Sequence, residues 1–411
     1  MAKIAVLGHG VVGSGVCEVI EENKESITRR AGQPIEVKRI LDLRDFDDLP
    51  YRDKFTKNID DILNDDEISI VVEVMGGVSP AFEFTSRALQ KGKSVVTSNK
   101  ELVASKGAQL LALAKENNCN YFFEASVGGG IPIIRPMHLC LAANEIDEIV
   151  GILNGTTNFI LTKMIRENME FDTALKLAQD LGYAERNPAA DVEGHDACRK
   201  ICILASLAFG RHVYPQYVQT EGISNITLED VAYAENWGGV IKLVGEAKRL
   251  PGKDTIKCLV SPALIHKESQ LANIDDVFNG VLVRGNATGD VVFYGKGAGK
   301  LPTASAVVAD VIHEAKSFGT STSLTWADSS ENFVEPVEAL CEAFYVRLFG
   351  ATRAQIEEAF GAVQFLSRAG AEADESAFVI KPQPVQKTLD ALKTLEDAGV
   401  RVCAKIRVAD C

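Results

Sequence analysis

Residues 3–23, KIAVLGHGVVGSGVCEVIEEN, constrain the fold more than any other stretch. A short apolar run leads into Gly8-x-Gly10-x-x-Gly13, and an amphipathic helical pattern follows. The three glycines have separate tasks. Gly8 allows a tight turn, Gly10 lets main chain approach a pyrophosphate, and Gly13 lets helix pack on strand. The helix start, with Val11 and Val12, offers unpaired N–H groups to phosphate oxygens. A glycine triplet alone is a weak signal; between a strand and a helix it points to a dinucleotide. His9 is expected to be a tolerated neighbour of the phosphates rather than a ligand or catalyst.

A second strand, IEVKRILDL, ends near Asp42 and Arg44. Its tip is where the adenosine ribose is read. An acid there suits the 2′-hydroxyl of NAD and a base suits the 2′-phosphate of NADP. Asp42, Arg44 and nearby Lys57 offer both chemistries, so the choice between NAD and NADP stays open. ISIVVEVMGG, KSVVTSNK and NYFFEASVGGGIPII read as further strands, with PAFEFTSRALQKG and ASKGAQLLALAKENN as helices between them. Strands alternating with helices give an α/β, Rossmann-type doubly wound parallel sheet. Ligands of such sheets lie beyond the carboxyl ends of the strands. Gly76, Gly77, Ser98, Asn99, Lys100 and Glu124 fall there.

At 411 residues the chain is expected to hold two or three domains. Its net charge of −14 repels phosphate backbones, so nucleic acid is excluded as a partner. Nine cysteines occur without a C-x-x-C, and six histidines without metal spacing, so a zinc site is not expected. Cys198 and Cys202 read as packing residues, and the cysteine usage fits a reducing compartment. A strand begins almost at residue 1, leaving no signal peptide. No run approaches the roughly 18 apolar residues of a membrane span. The expectation is a cytoplasmic protein with no membrane partner.

The pattern changes near Arg135. EIDEIVGILNGTTNFILTKMIREN reads as strand, polar turn Asn154-Gly155-Thr156-Thr157, and helix; residues 172–181 give another helix. DVEGHDACRK then places Asp196 and Lys200 on one helical stripe with Ile203 and Leu207. Such a pair is either a surface ion pair or a catalytic pair at the lip of a pocket. KCLVSPALI and FNGVLVRG add strands of a mixed sheet. Gly295, Gly297 and Gly299 read as a flexible loop facing the cofactor crevice. Pro302 opens a helix, 302–320, expected to return to the first domain. The boundaries are a dinucleotide domain at 1–134 completed by 302–320, an α+β substrate and dimerisation domain at 135–301, and a third segment at 335–411. In that third segment CEAFYVRLFG, ATRAQIEEAFGAV, ESAFVIKP, PVQKTLDALKTLEDAG and VRVCAKIRVA, with a strand near Gln364–Leu366, give a βαββαβ order.

Several of these motifs together resemble the homoserine dehydrogenase family. They are Ala178…Gly182-Tyr183-Ala184-Glu185…Asn187-Pro188…Asp191…Gly194…Asp196…Lys200, Asn154-Gly155-Thr156 with Asn158, Thr97-Ser98-Asn99-Lys100, Glu124 to Gly130, and Gly297-Ala298-Gly299…Pro302 to Ala306. They run in order from residue 1 to about 320. Family members usually read Glu-Pro-Asp-Pro where this chain has Glu185-Arg186-Asn187-Pro188. The resemblance implies interconversion of L-homoserine and L-aspartate 4-semialdehyde with NAD or NADP, toward threonine and methionine. It implies that Glu185, Asp191, Asp196, Gly155 and Thr156 hold substrate, and that Lys200 and Lys100 flank the reacting oxygen. Gly8, Gly10, Val11, Val12, Gly13, Asp42, Arg44, Lys57, Ser98, Lys100 and Gly297 would contact the cofactor. A sodium ion would sit on Glu124 and the carbonyls of Val127, Gly129 and Ile131. A homodimer through the second domain is implied as well.

Oxidising an alcohol needs an acceptor for the proton and a group that steadies the oxygen. A lysine can do either. Asp196, one turn away, would fix Lys200. Which lysine takes the proton is left open. The tail resembles an ACT regulatory domain, a possible site for an amino-acid effector. Such domains usually show Asp-x-Pro-Gly after the first strand, where this chain has Phe349-Gly350-Ala351-Thr352. The alternatives are a structural or dimerising tail and, for the whole chain, a non-catalytic NAD(P) sensor or a related amino-acid dehydrogenase.

Overall fold

In the computed structural model, residues 1–317, 320, 324–329 and 331–410 are described. They gather into two compact units. The first holds 1–145, 202–215 and 295–331, and the second holds 146–201, 216–294 and 332–411.

The first unit is built on β1 (Ala2–Leu7), β2 (Ile35–Leu41), β3 (Phe55–Thr56), β4 (Ile68–Glu73), β5 (Ser94–Thr97) and β6 (Tyr121–Phe122). All pair in parallel, in the order β3-β2-β1-β4-β5-β6. Helices α1 (Val11–Glu22), α2 (Lys24–Ala31), α3 (Asp60–Leu63), α4 (Ala81–Gln90) and α5 (Lys100–Glu116) follow the strands. The central strands are buried on both faces, as Ile4 to Leu7 and Ile70 to Val72 show, which is why they read as continuous apolar runs. This is the doubly wound parallel sheet expected from the sequence. One expected strand is shorter. Of residues 120–134 only Tyr121 and Phe122 pair, because the Glu124 amide turns away to bond Asp310 Oδ2 at 2.9 Å and residues 124–126 form a 3₁₀ turn.

The second unit carries β7 (Ile146–Ile152), α6 (Gly155–Glu167), α7 (Phe171–Asp180), α8 (Ala189–Val192), α9 (His195–Phe209), β8 (Gln219–Thr220), α10 (Leu228–Trp237), β9 (Gly239–Arg249), β10 (Ile256–His266), β11 (Phe278–Gly285) and β12 (Gly289–Lys296). The last residues of α9 and β12 group with the first unit. Then come α11 (Lys300–Ser317), β13 (Cys341–Phe349), α12 (Arg353–Phe360), β14 (Gln364–Leu366), β15 (Glu375–Pro384), α13 (Val385–Asp397) and β16 (Arg401–Ala409).

The helix expected at 302–320 thus begins two residues earlier. Its expected end includes residues 318 and 319, which lie outside the described residues. It packs on α1, where a side chain at Gly15 would stand 3.0 Å from the Lys300 carbonyl. Gly295, expected in a loop, belongs to β12.

The tail has the βαββαβ order but does not stand apart. β16 pairs in parallel with β10, Ala263 opposite Arg407 and Ile265 opposite Ala409. One mixed sheet therefore runs β12-β11-β7-β9-β10-β16-β13-β15-β14, with β8 beside β10. Leu259 of β10 is buried in the same cluster as Phe344, Leu348, Phe378 and Leu392 of the tail.

Candidate active site

In the first unit, the turn after β1 is shaped by close approach. Gly8 has φ +96°, and a Cβ on Gly13 would stand 2.0 Å from the Gly8 carbonyl. Only residues lacking Cβ fit both places. Gly10 caps α1 and borders open space, with Val11 exposed beside it and Val12 half-buried. An α1 start with no acidic residue in its first turn favours an anion.

Asp42 follows β2 and reads both neighbours. Its carboxylate accepts from the His9 amide at 2.8 Å. It also accepts from Arg44 through N (3.0 Å), Nε (3.0 Å) and Nη2 (2.8 Å). These Arg44 hydrogen bonds hold the Asp42 carboxyl well below the usual carboxylate range. The Arg44 guanidinium is itself 62% exposed and lies over the Phe46 ring. Lys57 pairs with Asp45 at 2.7 Å. His9 is buried edge-on to Phe46, Tyr51 and Phe55, and burial lowers its pKa. It packs as a wall beside the glycines.

At the neighbouring strand ends, Ser98 is half-buried and Lys100 is the first residue of α5, capped by Asn99, whose Oδ1 accepts from Leu102 N at 3.1 Å. Glu124 is buried. Its carboxylate accepts from the amides of Ile133 (2.6 Å), Ile134 (2.8 Å) and Arg135 (2.8 Å). Gly129 has φ +55°, and a Cβ there would meet the Gly297 carbonyl at 2.3 Å. Gly130 N donates to Lys296 O at 3.0 Å, so the Val127–Ile131 loop and the Gly297 segment are locked together. Among the described residues, no main-chain amide donates to the buried carbonyls of Val127, Gly129 or Ile131. No cluster of three or more His, Cys, Asp or Glu suited to a metal occurs there either. Oxygen ligands of the main-chain kind are what a hard monovalent cation takes.

In the second unit, Asn154 ends the strand-to-helix turn after β7 and gathers the site. Its Oδ1 caps α6 by accepting from Thr157 N at 2.8 Å. Its Nδ2 donates to Asp191 Oδ1 (2.7 Å) and Asp196 Oδ2 (3.0 Å). Lys200 Nζ lies 2.7 Å from Asp196 Oδ2 and donates to Leu153 O at 2.8 Å. Lys200 and Asp196 side chains are 8% and 5% exposed, so the i,i+4 pair is no surface pair. Gly155 opens α6. Thr156 Oγ1 donates to Tyr183 O at 2.6 Å, tying the 181–188 loop to the same turn. Two acids, a lysine and a helix N-terminus therefore converge. Glu185 does not converge with them. It is exposed on that loop, and among the described residues its carboxylate makes no hydrogen bond or ion pair. Asn154 is the member that residue type did not mark as functional. The signal was its position as the last residue before a helix, where Asn is a preferred cap.

A family model described as homoserine dehydrogenase matches residues 132–312, and one described as homoserine dehydrogenase, NAD binding domain, matches residues 8–124. The chain belongs to the homoserine dehydrogenase family. The homoserine dehydrogenase of Bacillus subtilis is 41% identical over 350 residues, covering 83% of this chain and 80% of that protein. That of Synechocystis is 43% identical, covering 85% and 83%. The crystal structure of a homoserine dehydrogenase from Thiobacillus denitrificans superposes with a TM-score of 0.90 at 36% identity, covering 100% of this chain and 98% of that one. A hyperthermophilic archaeal homoserine dehydrogenase in complex with NADPH gives 0.64 at 30% identity, covering 76% and 97%. The chain is thus an NAD(P)-dependent oxidoreductase of this family.

Proposed function

We propose that the chain interconverts L-homoserine and L-aspartate 4-semialdehyde, with Lys200 as the group that moves the hydroxyl proton. The observation that carries this is the buried Lys200–Asp196 pair, gathered with Asp191 by one asparagine. A buried pair of this kind is a poor way to stabilise a fold and a good way to hold a proton donor and acceptor ready. Asp196 and the Leu153 carbonyl orient the lysine. Asp191, Gly155 and Thr156 line the same turn and suit the amino-acid end of the substrate. Glu185, exposed on the loop that Thr156 ties to this turn, is read as a further substrate contact, as the family motif implies. Lys100, at the N-terminus of α5, is the second candidate for the proton. When bound, the nicotinamide accepts the hydride.

The cofactor lies against Gly8, Gly10, Val11, Val12 and Gly13 in this reading, with Ser98 and Gly297 among its neighbours. We read the preference as NADP. Asp42 is already engaged by Arg44, and the exposed guanidinium, with Lys57 nearby, offers positive charge for a 2′-phosphate. Sodium is read onto the carbonyls of Val127, Gly129 and Ile131, to which no main-chain amide among the described residues donates, beside Glu124. A second copy of the chain is expected against the second unit, where a groove of about 870 Å³ is lined by Trp237, Lys248, Leu250 and Leu340 among others. The βαββαβ tail is read as ACT-like. No helix among the described residues is long and apolar enough to cross a membrane, and the place of action is taken to be the cytoplasm. The test is reduction of NADP+ and NAD+ in parallel with L-homoserine, with and without sodium. The expected result is faster reduction of NADP+ and stimulation by sodium; equal rates with both cofactors would reject the Arg44 argument.

A further inference from the structure

A buried carboxylate that no part of this reading uses stands at the carboxyl edge of the parallel sheet. Glu73 ends β4, directly opposite Thr97 of β5, and is fully buried. Its Oε2 accepts from Thr97 Oγ1 at 2.7 Å, and its Oε1 accepts from the Met75 amide at 2.8 Å and, at the long limit, from Asn99 Nδ2 at 3.5 Å. Thr97 Oγ1 in turn accepts from the Asn99 amide at 2.9 Å. Asn99 Nδ2 reaches Gly77 O at 2.6 Å, while its Oδ1 caps the helix that Lys100 begins. Two loops at the strand ends are thus joined through one acid: Met75 to Gly77 after β4, and Ser98 to Lys100 after β5. The first of these also abuts the phosphate turn, since the missing Gly8 side chain would stand 3.3 Å from Met75 Cα.

Burial pushes the Glu73 carboxyl up, and the donors from Thr97, Met75, Asn99 and Gly76 pull it back. A carboxyl is an expensive group to bury, and these donors offset part of that cost.

We propose that Glu73 is a positioning residue, which clamps the Met75–Gly77 loop to the Ser98–Lys100 turn in the geometry that receives the cofactor. This rests on the reading of those two segments as walls of the cofactor crevice. Glu73→Gln keeps the shape but turns an acceptor into an N–H, leaving one of its donors without a partner. The measurements are direct fluorescence titration with NADPH, homoserine-dependent turnover, and melting temperature. Losing one hydrogen bond to a charged group corresponds to roughly a tenfold effect or more. NADPH affinity and turnover should both fall by about that factor, with a melting temperature close to the parent's. Thr97→Val, which removes the hydroxyl relaying Glu73 to Asn99, should show the same signature and serves if Glu73→Gln does not fold. Unchanged NADPH affinity in both variants overturns the proposal. So does a loss of turnover that only follows a loss of melting temperature, the result of a purely structural role. Failure of the parent protein itself to bind NADPH would reject the crevice reading, whereas NADPH binding by the parent that both variants leave unchanged rejects only the role of Glu73.

Discussion

Replacing Lys200 separates what the pair does for the fold from what it does for the reaction. In Lys200→Met the stem remains and the ammonium beside Asp196, itself 5% exposed, is gone. Breaking a buried pair from one side costs roughly 3–5 kcal/mol. Asn154 Nδ2 still donates to Asp196 at 3.0 Å, as it does in the parent. The loss should therefore sit in that range, about 3–5 kcal/mol. Lys200→Met with Asp196→Asn removes the orphaned charge and keeps an acceptor for Asn154, so more than half of that loss should return. Turnover should not return. An acid–base group is worth roughly two to four decades, which is about 3–5 kcal/mol in the barrier, and both variants lack it. Urea unfolding followed by fluorescence, together with homoserine-dependent nicotinamide reduction, reads the two quantities. A double variant as unstable as the single one would refute the charge argument. Near-normal turnover in Lys200→Met would remove Lys200 from the mechanism.

Three further outcomes are expected. Arg44→Ala should lower kcat/KM for NADP+ by roughly ten- to a hundredfold, the worth of a charged hydrogen bond, and should leave NAD+ unharmed because Asp42 is uncovered; an equal fall with both cofactors would contradict this. His212 is buried, accepting from Trp326 Nε1 at 2.9 Å and donating from Nε2 to Ala104 O at 2.9 Å, and burial lowers its pKa. The unfolded chain then protonates first, so the stability it contributes is present above about pH 6.5 and is lost as pH falls below that; Trp326 fluorescence during unfolding should show the slope, and His212→Gln should flatten it. Threonine should inhibit weakly or not at all, since Gly350-Ala351-Thr352 forms an αL turn and a helix cap (Thr352 with Gln355) in place of the usual effector loop; strong inhibition at sub-millimolar threonine, measured by initial rates, would contradict it.

Much of the first unit was legible because its signals are local. The glycine turn, the apolar strands and the helices between them lie within short windows, and the burial of the central strands on both faces shows directly in residue type. The tail was legible in its elements but not in its place. The pairing of Arg401–Ala409 with Ile256–His266 joins residues far apart in sequence, and nothing local in either strand names the other. The Asp196–Lys200 spacing was visible, but its burial was not, and neither was its dependence on Asn154. Glu73 was hidden inside ISIVVEVMGG, where one acid after an apolar run reads as a solvated strand end. The carbonyls of Val127, Gly129 and Ile131 leave no mark in residue type at all. Glu185 reads as part of the same motif as Asp191 and Lys200, yet in the structure it stands in solvent.

The most direct single measurement is the stoichiometry of NADP+ reduced to aldehyde formed when the purified protein meets L-homoserine. One aldehyde trapped per nicotinamide reduced is the expected result, and it would be abolished together with reduction in Lys200→Met. Tight NADPH binding with no reduction and no aldehyde would contradict the enzymatic reading and leave a cofactor-binding sensor in its place.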